Sequence, residues 1–78
     1  MTAAQVIEIA RKDAAAHGYS VALYKQPKAE FDSTDRPYTW IVDFGHKTAE
    51  QYLAVVIDEH TGERGFVDES GWHPYRPR

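Results

Sequence analysis

The segment from Tyr52 to Val67, YLAVVIDEHTGERGFV, constrains the fold more than any other part of the chain. Leu53 to Ile57 is apolar and β-branched, Asp58 to Arg64 is polar, and Gly62 is free to take positive φ. A β-hairpin with a Thr61-Gly62 turn is therefore the simplest backbone path. An isolated hairpin is marginal in water, so further strands or a helix must cover it.

The rest of the chain supplies both. Thr2 is a hydroxyl N-cap with Gln5 three residues on, the spacing of a capping box. Ala3, Val6, Ile7, Ala10 and Ala14 then recur at helical period, opposite Gln5, Glu8, Arg11 and Lys12. The helix is expected to end near His17, because Gly18 supplies the left-handed cap. Tyr19 to Tyr24 reads as a strand. Gln26 to Pro37 reads as loop or hairpin-end chemistry anchored by Phe31. Alternation resumes in Tyr38-Thr39-Trp40-Ile41-Val42-Asp43-Phe44, where Tyr38, Trp40, Val42 and Phe44 share one face that should meet the helix. After the polar turn Gly45 to Gln51 come the strand Tyr52 to Asp58 and a short return strand around Gly65 to Asp68. The expected fold is α+β, one N-terminal helix packed on an antiparallel meander of three or four strands. One domain is expected over residues 1–70, followed by an irregular Pro-rich tail over 71–78. The expected core is Val6, Ile7, Ala10, Ala14, Leu23, Trp40, Val42, Phe44, Leu53, Val55 and Ile57.

Size and composition set limits. A chain of 78 residues allows one domain and a modest core. At 42% apolar and 13% aromatic it has enough packing material to fold alone or as a small oligomer. It has no cysteine, which removes thiolate catalysis and Cys-based zinc sites. The net charge is −3 and no basic stripe runs along any element, so nucleic acid is not expected as a partner. No apolar run approaches the ~20 residues of a membrane span, and no secretory leader is recognisable. As written, the sequence predicts a soluble cytoplasmic product, provided that no leader precedes it.

In this arrangement the residues resemble the PepSY-type family. The resemblance rests on a capped helix carrying Ile9-Ala10 and closing on His17-Gly18, on a central Trp40-x-Val42-x-Phe44 strand, and on an apolar strand leading into Ile57-Asp58-Glu59-His60-Thr61-Gly62-Glu63. It covers most of positions 2 to 68. The chain is also similar to small bacterial immunity proteins with a cystatin-like or NTF2-like half-fold, which place a helix before a Trp-x-Val strand and finish with a Thr-Gly or Asp-Gly hairpin. Both resemblances imply a binding module. The second implies a protein partner such as a toxin or a peptidase, and neither carries over a catalytic residue.

Site chemistry points the same way. His17, His46, His60 and His73 match no metal-ligand spacing and fall in different expected elements. The neighbours Asp58 and Glu59, like Asp68 and Glu69, are adjacent and would point to opposite faces of a strand, so neither pair converges on one substrate atom. Ser20, Ser33 and Ser70 lack a nucleophile-elbow context, and the glycines are dispersed singly. No catalytic residue, cofactor or metal is therefore expected.

The strand parity carries the functional expectation. If Trp40, Val42 and Phe44 face the helix, Ile41 faces away, joined by Tyr52, Ala54 and Val56. A contiguous exposed apolar patch marks a partner or dimer interface. The alternative is that the tail, through Trp72 and Tyr75, folds back and completes the core. The interface reading assigns partner binding to Ile41, Tyr52, Ala54, Val56, Trp72 and Tyr75. A self-associating homodimer is a rival reading. A small-ligand domain, with Tyr19, Tyr38 or His17 at the mouth of a pocket between helix and sheet, is another.

Overall fold

The computed structural model describes residues 1–32 and 38–75. Residues 33–37 of the expected loop and 76–78 of the expected tail lie outside them. Helix α1 spans Ala3–His17. Its capping box is complete: the Thr2 hydroxyl accepts from the Gln5 amide at 3.2 Å, and the Gln5 side chain accepts from the Thr2 amide at 2.8 Å. Gly18, at φ 104°, ends the helix in the left-handed conformation expected of it.

Strands β1 (Lys28–Asp32), β2 (Thr39–His46), β3 (Tyr52–Asp58), β4 (Arg64–Asp68) and β5 (Gly71–Pro74) follow in one antiparallel meander of order β1-β2-β3-β4-β5. The α+β architecture is as the sequence predicts, with five strands among the described residues rather than three or four. Two segments account for the difference. Lys28 to Asp32, expected as loop, pairs with Thr39 to Asp43 and directs Ala29 and Phe31 to the helix side. Gly71 to Pro74, expected as irregular tail, pairs with Gly65 to Asp68. The Tyr75 amide donates to the Arg64 carbonyl at 3.0 Å, so hydrogen-bonded pairs alternate and Pro74 falls at a position whose nitrogen faces away from β4. Tyr19 to Tyr24 is not a strand: Val21–Leu23 forms a single 3₁₀ turn.

One face of the sheet receives α1. Val6, Ala10 and Ala14 meet Val42 and Phe44 of β2, Leu53, Val55 and Ile57 of β3, and Phe66 of β4. All are fully buried, each large one contributing about 1.5–3 kcal/mol. Ile7 and Trp40 pack against this cluster half-buried. Leu23 does not belong to the core: the 3₁₀ turn leaves it 60% exposed. Tyr38 likewise precedes β2 at φ 69°, exposed beside His60. Phe66, which was not among the expected core residues, is fully buried in it. It pairs with Val55 and gathers the rings of His17, Tyr19 and Tyr75 at centroid distances of 4.6, 5.3 and 5.8 Å.

This division is testable by urea denaturation. Phe66→Ala is expected to cost about 3–5 kcal/mol, whereas Leu23→Ala stays within about 0.5 kcal/mol of the parent. Equal losses at the two positions would contradict the packing described.

Candidate binding face

The register fixes which side chains occupy the sheet face away from α1. Ile41 pairs with Val56, Val56 with Gly65, Ala54 with Val67, and Val67 with Trp72. Pairs directly opposite share a face, so Ile41, Ala54, Val56, Val67 and Trp72 form one apolar strip across β2 to β5. The first four are half-buried by one another, and Trp72 is 52% exposed. No helix of the described residues covers them, since α1 lies on the other face. The Trp72 indole lies flat across Gly65: a Cβ built on Gly65 would sit 2.1 Å from Trp72 Cη2. Glycine is needed there for close approach, not for backbone conformation.

Of the six residues expected to bind a partner, Ile41, Ala54, Val56 and Trp72 are brought together on this strip. Tyr52 sits at its end, its ring 5.6 Å from that of His46, past the bulge between Asp43 and His46. Tyr75 is on the opposite face. Its ring packs against Phe66 and lies 5.0 Å from the Arg64 guanidinium carbon, because one further residue along β5 reverses the parity. Val67 was missed by sequence reasoning, although the alternation of β4 placed it beside Ala54. Charge borders the strip on the β1 side, where Lys28, Glu30 and Asp32 pair with Asp43, Ile41 and Thr39, and Thr39 in turn with Asp58. Among the described residues this rim carries the carboxylates of Glu30, Asp32, Asp43 and Asp58 and the ammonium group of Lys28.

The acids of the two hairpins serve the turns. Asp58 Oδ1 accepts from the His60 and Thr61 amides at 2.8 and 3.0 Å. Glu59 pairs with the amino group of Met1. Asp68 Oδ1 accepts from the Ser70 amide at 2.8 Å and the Ser70 hydroxyl at 2.6 Å, with His73 Nε2 at 3.1 Å, while the Tyr19 hydroxyl donates to Oδ2 at 2.5 Å. Ser70 Oγ also lies 2.7 Å from His73 Nε2. Serine, histidine and aspartate are thus in contact, yet one imidazole nitrogen faces both partners. A hydrolytic triad needs the two ring nitrogens to separate nucleophile from acid, so this cluster ties the β4–β5 turn to the chain after α1.

Burial alone would raise the Asp68 carboxyl, but the hydrogen bonds from Ser70, Tyr19 and His73 outweigh it and hold the group well below the usual carboxylate range. Burial, then the bond to Asp68, push the Tyr19 hydroxyl well above its usual range. Asp13 behaves oppositely to Asp68. Its Oδ2 lies 2.7 Å from Arg64 Nε without an aligned N–H, and burial, only partly opposed by Arg64, raises its carboxyl.

The histidines stand apart, and among the described residues no three His, Asp or Glu side chains are placed to hold a metal ion. No helix of the described residues is long and apolar enough to cross a membrane. A groove of about 340 Å³ among the described residues is bordered not by Tyr19, Tyr38 or His17 but by Arg11, Val21, Ala22, Tyr24, Lys25, Gln26, Pro27 and Phe44. Comparison with protein-family models, with curated proteins and with solved structures finds no match to this chain.

Two measurements check this geometry. Gly65→Ala should lift the Trp72 ring off the sheet, red-shifting tryptophan emission with little loss of stability, since an exposed ring can swing away; unchanged emission would place Trp72 elsewhere. For Asp68, a depressed folded pKa means stability present above about pH 3.9 that is lost as pH falls toward the folded value. Asp68→Asn should lower stability at neutral pH by about 1.5–3 kcal/mol and flatten this acid limb. The raised Asp13 contributes with the opposite sign and should remain in the variant, with stability falling as pH rises through its window.

Proposed function

We propose that the protein is a small non-catalytic binding module, an inhibitor or immunity-type partner protein, that docks another protein on the outer sheet face. The observation that carries this reading is the strip Ile41, Ala54, Val56, Val67 and Trp72, apolar, contiguous and covered by no helix of the described residues. Trp72 has the character of an anchor: a large, half-exposed aromatic with few rotors at the β5 end of the apolar strip. The rim defines the partner's chemistry. Glu30, Asp32, Asp43 and Asp58 against Lys28 call for an apolar surface edged with Lys and Arg, and the charge pattern steers association and makes it salt-sensitive. The resemblance to PepSY-type and cystatin-like immunity proteins supports the same class and suggests a peptidase or toxin as the target.

A second copy of the chain fits this face less well. Stacking two such faces brings acidic rims into one interface, and like charges there cost affinity.

The test is capture of bound protein from cells of the native host at low and moderate salt, with solution mass measured in parallel. A monomer that captures one basic-rimmed partner is expected, with capture weakened at least tenfold by Val56→Asp and by Trp72→Ala and reduced by salt. Capture indifferent to both substitutions would overturn the assignment of the face. A dimer dissolved by Val56→Asp would replace the partner with a second copy.

A further inference from the structure

The groove at the far end of the inner face has a chemistry of its own. Arg11 projects from α1 and Lys25 from the segment leading to β1, and both border the cavity. Neither has a carboxylate within ion-pairing distance among the described residues, whereas Lys12 pairs with Glu8 and Arg64 with Asp13. Lys28 and Lys47 share that condition, but Arg11 and Lys25 alone border one groove.

Lys25 is also held in place. Its amide donates to the Phe44 carbonyl at 3.0 Å. Its aliphatic stem lies against Gly45, where an added Cβ would come within 3.2 Å of Lys25 Cβ and Cδ. Gly45 sits at φ +74° in the β2 bulge, with its amide bonded to Asp43 Oδ1 at 2.7 Å, so the bulge shapes the surface on which the lysine rests. The rest of the lining is mixed: Val21 and Tyr24 are half-buried, Ala22 and Gln26 are exposed, and Phe44 and Pro27 are buried. The volume of about 340 Å³ lies at the small end of the roughly 300–1,000 Å³ of small-molecule clefts.

We propose that this groove binds a small organic carboxylate with a flat apolar body. Arg11 and Lys25 take the carboxylate, the guanidinium through its planar fork, and the body lies on the accessible parts of Val21, Ala22 and the Tyr24 ring. The orientation follows from the surrounding charge. Burial chiefly, and then the charges of Glu69 and Asp68, raise the Tyr24 hydroxyl above its usual range. A ligand anion is repelled from that end and confined to the cations. The site is separate from the outer face, so either assignment can fail without the other.

The probe is phenylacetate, titrated into the ¹⁵N-labelled protein, with neutral phenylacetamide and inorganic phosphate titrated separately. Saturable amide shifts at Tyr24, Lys25, Phe44 and Gly45 are expected with phenylacetate at millimolar concentration. Phenylacetamide should lack them, and phosphate should bind at least about tenfold more weakly, because it gains nothing from the apolar walls. Arg11→Gln and Lys25→Gln, both exposed changes that leave the free spectrum otherwise intact, should each weaken phenylacetate about tenfold. Absence of saturable shifts, equal shifts from the amide or phosphate, or indifference to both substitutions would each overturn the proposal.

Discussion

The close approach of α1 to the sheet is the constraint on which the rest of the fold depends. Ala10 and Ala14 bring the helix backbone near enough that Val6, Phe44, Leu53 and Phe66 fill the space beneath it without a second layer. A larger residue at either alanine would lift the helix and open the cluster, and dense cores do not absorb such changes without strain. Because a single helix seals a single face, the sheet is necessarily two-sided in character. The buried face supplies the stability, and the other supplies the surface on which a function can be carried.

The two ends of the helix are tied differently. At its start the capping box is local and needs nothing beyond Thr2 and Gln5. At its end Gly18 releases the chain so that Tyr19 can reach Asp68, almost the whole sheet away in sequence. One carboxylate therefore joins the connection after α1, the β4–β5 turn and the last strand. Besides His73, the partners of Asp68 are the neutral donors of Ser70 and Tyr19, dipoles aimed at the carboxylate, an arrangement that favours the ionised form.

Local signals were readable in the sequence to the extent that they were strong. The capping box, Gly18, the alternation of Trp40, Val42 and Phe44, and the Thr61-Gly62 turn each carry their own physics and appear as expected. Where the signal was weak, tertiary pairing decided. Lys28 to Asp32 contains only Ala29 and Phe31 as inward residues, and its polar flanks read as loop until β2 pairs with it. Gly71 to Pro74 reads as irregular because proline is poor in strands, yet an edge position tolerates a missing donor. The same pairing returned most of the candidate face, since parity alone places Ile41, Ala54 and Val56 together. Tyr75 was placed on the wrong face because the strand status of β5 was not visible, whereas Val67 was legible from β4 and was passed over. The groove beside Arg11 and Lys25 left no linear trace: it is made by a bulge, a 3₁₀ turn and a helix face that meet only in three dimensions.

The short fifth strand has a consequence for how the folded protein keeps to itself. Gly65, Phe66 and Val67 of β4 would, without β5, present an apolar open edge, the kind of template on which a foreign strand adds. β5 covers that edge with a strand that is itself a poor template, being only four residues long and ending in a proline. At the opposite border β1 carries Lys28, Glu30 and Asp32, charges that discourage the same addition. Both margins of the sheet are thereby closed to strand-by-strand growth into fibrils, which leaves its apolar face free to be used without the sheet extending along its edges.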